Sequence, residues 1–132
     1  MINVFSRDQM IAYGMFSNEY YISILPTGGP KGIPIFQNES NVLTLVFDDV
    51  EHDSIKDKWP DGIGTFVAKA MTIEQATQLV NFVNSIPKNS TINIHCVDGK
   101  SRSVAIKAAI LGNKLDGNPW VYKLVKESYD NS

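Results

Sequence analysis

Hydrophobic and polar positions along this chain fall into blocks of strand length and of helix length. Ile2 to Phe5 reads as a short strand, and Arg7 to Phe16 as a short helix that ends near Asn18. Tyr20 to Leu25 (YYISIL) is β-branched and aromatic and is stopped by Pro26, after which Gly28-Gly29-Pro30-Lys31-Gly32 forms a turn-rich exit loop. Asn41 to Phe47 (NVLTLVF) is a nearly continuous apolar run, the pattern of a strand buried on both faces, and it ends in Asp48-Asp49. The mixed, polar segment from Glu51 to Met71 is long for a connection in a compact domain; it is a candidate lid or functional loop, and no regular structure is predicted for it.

The second half is more regular. Thr72 to Gln75 fits a capping box, and Ile73, Ala76, Leu79, Val80 and Val83 recur at helical spacing until Pro87 blocks continuation. Thr91 to His95 is a short strand that leads directly into Cys96, and Ser103 to Leu111 has the composition of a buried helix ending at Gly112. Asn118 to Tyr129 reads as a last amphipathic helix with Trp120, Val121, Leu124 and Val125 inward. With no internal repeat, linker or low-complexity tract, the pattern predicts one α/β domain over residues 1–132 with a largely parallel central sheet.

Composition narrows the function classes. The 132 residues are 43% hydrophobic and 20% charged, enough for a core without disulfide or metal staples. Twelve Lys and Arg against 14 Asp and Glu give a net charge of -2, so non-specific binding to nucleic acid or anionic lipid is not expected and any anion site must be local. Cys96 is the single cysteine, which excludes an intramolecular disulfide and any multi-cysteine metal site and suits a reducing compartment. The first residues lack the pattern of a secretion signal and no apolar stretch approaches 18 residues, so a soluble, cytoplasmic chain is expected.

Chemistry concentrates in His95-Cys96-Val97-Asp98-Gly99-Lys100-Ser101-Arg102-Ser103. A short loop feeding a helix start can turn its N–H groups toward one point and form an anion nest, strengthened by the helix dipole. Gly99 lets the backbone turn, Arg102 can put a planar fork on two phosphate oxygens, and Cys96 lies in a field that favours the thiolate. Such a thiolate can attack phosphorus in line, and Ser103 can hydrogen-bond the sulfur as it departs. The plainer readings are a small core residue for Cys96 and a solvated helix residue for Arg102.

The segment resembles the HCxxGxxRS signature of the cysteine-dependent protein tyrosine and dual-specificity phosphatases, matching at His95, Cys96, Gly99, Arg102 and Ser103. More weakly, the strand ending in Phe47-Asp48-Asp49 and the helix start Thr72-Ile73-Glu74-Gln75-Ala76 resemble the small bacterial and phage members. The resemblance implies a three-layer α/β/α phosphatase fold and a phosphate-binding loop made by Val97, Asp98, Gly99, Lys100, Ser101 and Arg102. It implies no metal, no cofactor and a general acid Asp from an upstream loop. The position of Cys96 argues against the low-molecular-weight phosphatases, whose signature lies near the N-terminus.

Two residues compete for the acid. Asp49 ends a hydrophobic strand as in the dual-specificity enzymes, whereas Trp59-Pro60-Asp61 resembles the WPD loop of the tyrosine-specific ones; Asp49 is slightly favoured, since a strand end is held more rigidly. His95 is expected to orient the loop by hydrogen bonding, and Asp98 and Lys100 to sit solvated at the pocket rim. Glu occupies the Asp98 position in some dual-specificity enzymes, and Lys100 resembles the phosphoinositide phosphatases. The cluster Asp48, Asp49, Glu51, His52 and Asp53 lacks metal-loop spacing, and Gly28 to Gly32 lacks that of a nucleotide P-loop.

The expected function is a phosphomonoester hydrolase acting through a cysteinyl-phosphate, with a phosphorylated protein as the first substrate class. A 5′-phosphorylated RNA, a phosphoinositide or a small phosphometabolite is the enzymatic alternative, and a non-catalytic phosphate-binding module is the alternative of another class. A monomer is expected.

Overall fold

A computed structural model describes residues 1–27, 40–56 and 66–132. Ten elements follow in order: β1 (Ile2–Phe5), α1 (Arg7–Tyr13), β2 (Tyr20–Leu25), β3 (Val42–Val46), β4 (Ser54–Lys56), β5 (Phe66–Ala68), α2 (Ile73–Ser85), β6 (Ile92–His95), α3 (Arg102–Leu111) and α4 (Pro119–Asp130). Four strands form a parallel sheet in the order β1-β6-β2-β3, so β6 is inserted between β1 and β2.

That order dictates where the helices go. The β1→β2 and β3→β6 connections run in opposite directions across the sheet, and right-handed crossovers then put their helices on opposite faces. Accordingly, Met10 of α1 packs with Tyr21, while residues of α2, α3 and α4 pack with Ile22, Ile24, Ile92 and Ile94. The carboxyl ends of all four strands lie together, and His95 is paired there with both Phe5 and Ser23. Crevices at such ends are the usual ligand sites of open parallel sheets.

Local chemistry sets the element ends. Capping boxes at Ser6/Gln9 and Thr72/Gln75 start α1 and α2. Helix α3 ends in a Schellman arrangement in which Gly112 N–H donates to Ala109 O and Asn113 N–H to Ala108 O. Helix α1 stops at Tyr13, short of the expected Phe16, because Gly14 takes φ +82°, which no continuing helix allows.

Three other expectations need correction. The NVLTLVF strand is not buried on both faces: among the described residues β3 is an edge strand whose Thr44 and Val46 are exposed, and the interior strands are β6 and β2. An apolar run cannot distinguish an edge from the centre. The connection from Glu51 to Met71 does carry regular structure, since β4 and β5 pair antiparallel with Ser54 opposite Ala68. Trp120 is only partly buried; its ring packs against the core, its Nε1–H donates to Met71 O (2.9 Å), and Lys123 Nζ lies 5.8 Å from the ring centroid.

Among the described residues, no helix is long and apolar enough to cross a membrane.

Candidate active site

The fully buried β6 delivers His95 and Cys96 to the carboxyl end of the sheet, and the chain then turns through residues 97–101 into α3. Gly99 makes the turn possible twice over. It adopts φ +73°, and a Cβ there would lie 2.7 Å from Ser6 N and 2.8 Å from Phe5 C. The loop is therefore seated against the β1–α1 junction, where Arg7 N–H also donates to Val97 O (3.1 Å).

Cys96 is fully buried, and its sulfur is the hub of the loop. Gly99 N–H donates to Sγ at 3.2 Å, and Ser103 Oγ lies 3.1 Å from it. Both groups can donate to a thiolate, and Ser103 is itself fully buried at the first turn of α3. One acceptor opposes them. Asp98 Oδ1 is 3.7 Å from Sγ, placed to accept from the thiol form, and it also accepts Lys100 N–H at 3.1 Å. Asp98, read as a rim residue, is thus exposed but folded back over the loop. The N–H groups of Asp98 and Ser101 have no protein acceptor among the described residues.

Arg102 is 5% exposed and is used asymmetrically. Its Nη1 donates to Phe47 O (2.7 Å), tying α3 to the end of β3. Its Nε is buried with no partner among the described residues, which leaves that edge of the guanidinium unspent there. A buried donor without an acceptor is costly, and a planar guanidinium edge matches two oxygens of a phosphate.

His95 is buried at the start of the loop with both ring nitrogens in contact. Nε2 lies 2.6 Å from Ser23 Oγ on the neighbouring strand, and Nδ1 lies 3.3 Å from Cys96 O. Burial pushes its pKa below the ordinary histidine value; the bond to Cys96 O opposes this, and the positive charges of Arg102 and Arg7 add to it. The ring is kept neutral.

Asp49 is exposed and stands beside the loop: Ser101 Oγ donates to its Oδ1 at 2.7 Å, and Asn118 Nδ2 donates to the same oxygen at 2.9 Å. Asp48 has a different task. It is buried, accepts from Thr27 N–H, Thr27 Oγ1 and Lys69 N–H, and joins the exit of β2 to the end of β5. Asp53 is likewise spent on Ala70 N–H and Lys69 Nζ. Asp61, with Trp59 and Pro60, and the Gly28 to Gly32 turn lie outside the described residues.

Cys96, Gly99, Ser101, Arg102, Ser103 and Asp49 are thus brought together by the ends of two strands, β6 and β3, one loop and one helix start. No known family, curated protein or solved structure matches this chain.

Sequence reasoning missed Ser23, Gly117 and Asn118 as members of the site. Gly117 adopts φ +71°, and a Cβ there would meet Ser101 O at 2.2 Å; Asn118 N–H donates to that same carbonyl at 3.2 Å. A Gly-Asn-Pro start to the last helix was visible, and with it a cap. Its contact with Asp49, across 69 positions, was not.

Proposed function

We propose that this protein is a cysteine-dependent phosphomonoester hydrolase with a three-layer α/β/α phosphatase fold, acting on phosphorylated proteins. One observation carries the reading: a buried sulfur bonded by Gly99 N–H and Ser103 Oγ shares its strand–loop–helix with a buried guanidinium whose Nε has no partner among the described residues. That combination supplies a nucleophile and an anion receptor in one place.

In the first step the Cys96 thiolate attacks phosphorus in line. The S–P bond forms as the P–O bond to the leaving group breaks, and Asp49 gives its proton to the departing oxygen. Loop N–H groups and the Nε edge of Arg102 hold the equatorial oxygens. In the second step water attacks the cysteinyl-phosphate, Asp49 takes a proton from it, and the S–P bond breaks while Ser103 stabilises the leaving thiolate. Asp49 is favoured over Asp61 because Ser101 and Asn118 hold it against the loop. His95 holds the loop from beneath and takes no proton.

The test is hydrolysis of p-nitrophenyl phosphate, without added metal and with a reductant, by wild type and Cys96→Ser. The reading expects activity that disappears with the sulfur. A folded, inactive wild type whose Cys96 is protected from alkylation by phosphate would instead support a phosphate-binding module. Turnover of phosphotyrosyl and phosphoseryl peptides against 5′-phosphorylated RNA and phosphoinositides sorts the substrate class.

A further inference from the structure

Asn118 is 4% exposed, and every polar atom of its side chain is committed. Its Oδ1 accepts Trp120 N–H (2.9 Å) and Val121 N–H (3.1 Å), the cap of α4. Its Nδ2 donates to Asp49 Oδ1 (2.9 Å) and Val50 O (3.3 Å). The cap fixes the amide's orientation, because turning it over would present NH₂ to two N–H donors. Nδ2 is therefore a donor that cannot become an acceptor.

This constrains Asp49. Ser101 Oγ and Asn118 Nδ2 both reach Oδ1, whereas Oδ2 has no protein hydrogen-bond partner among the described residues. A hydroxyl could accept as well as donate, so Ser101 alone would not decide which carboxyl oxygen carries a proton. The amide adds a bias that cannot reverse: it only donates, and the carbonyl oxygen of a protonated carboxyl accepts far better than its hydroxyl oxygen, which favours the proton on Oδ2.

We propose that Asn118 is a positioning residue that holds Asp49 by Oδ1, so that Oδ2 is the oxygen that gives the proton to the leaving group and takes one back from water. The inference rests on the phosphatase reading and adds a residue to it. It also makes α4 part of the active site: the cap that starts the helix and the hand that holds the acid are one side chain.

The test separates cap from donor. Asn118→Ser and Asn118→Asp keep an oxygen that can cap α4 and remove the Nδ2 donor, so both are expected to fold with little change in melting temperature. For phenyl phosphate, a poor leaving group, kcat is expected to fall on the order of 10- to 10²-fold, with a much smaller change for 2,4-dinitrophenyl phosphate. Rate then depends more steeply on leaving-group basicity, which a merely structural defect would not produce. Adding Asn118→Ser to Asp49→Asn is expected to cost nothing further.

Equal losses on both substrates, no loss in either variant, or full additivity with Asp49→Asn overturns the inference while leaving the phosphatase reading standing. A wild type with no Cys96-dependent turnover overturns both.

Discussion

Alanine at Gly117 would set its Cβ 2.2 Å from Ser101 O and 2.9 Å from Ala105 N, at a residue whose φ is +71°. Two penalties are involved, and the structure provides the control that separates them. Gly112 has nearly the same backbone, φ +69°, but open space around it, so Gly112→Ala carries only the left-handed strain, about 1–2 kcal/mol. Gly117→Ala adds displacement of a carbonyl that accepts Ala105 N–H and Asn118 N–H, an overpacking cost of about 1–3 kcal/mol more. Gly99→Ala belongs with it, since its Cβ would meet the backbone of Phe5 and Ser6 at φ +73°. Urea denaturation of the three variants reads the difference as a shift in midpoint at constant slope. Gly117→Ala and Gly99→Ala should lose about 2–5 kcal/mol, a large share of the ~5–15 kcal/mol of an ordinary domain. Losses equal to that of Gly112→Ala would refute the close packing of the loop against the β1–α1 junction and of its end at Ser101 against Gly117.

Removing the charge of Asp98 while keeping its turn to Lys100 N–H, as in Asp98→Asn, takes a like charge away from the sulfur and from the incoming anion. Iodoacetate should then alkylate Cys96 roughly fivefold faster at pH 7, the factor for about 1 kcal/mol between charges ~4 Å apart in water; an unchanged rate would remove Asp98 from the site. Asp49→Asn should lower kcat on phenyl phosphate on the order of 10²–10⁴-fold while Asp61→Asn leaves it near wild type, and the reverse result would reassign the acid. Because burial holds the folded-state pKa of His95 below its unfolded value of about 6.5, the unfolded chain binds the extra proton. Its contribution to stability is then complete above about pH 6.5 and lost as pH falls below it, and His95→Gln should flatten that part of a stability–pH curve; an unchanged curve would place the acid sensitivity elsewhere.

What the sequence made legible was local. The order of the elements other than β4 and β5, the capping box at Thr72 and the Cys96 to Ser103 loop could be read because each depends on residues a few positions apart. The strand rank of β3 could not, since YYISIL and NVLTLVF look equally apolar and only the insertion of β6 beside β2 makes one central and the other an edge. The end of α1 hinged on the positive φ of Gly14, which a helical pattern tolerates on paper. At the site, Arg102 was legible as a candidate anion ligand, but not that Phe47 O would consume Nη1 and leave Nε without a partner among the described residues. Asp48 and Asp49 are adjacent and chemically identical, yet the fold buries one as a strut between Thr27 and Lys69 and sets the other beside the loop.

By the proposed mechanism Cys96 becomes covalently phosphorylated during turnover. Acid quenching of the protein with a ³²P-labelled aryl phosphate, followed by proteolysis, reads this directly. The account predicts label on the peptide containing Cys96, more of it when Asp49→Asn slows the second step, and none in Cys96→Ser. Turnover with no label on that peptide would contradict it.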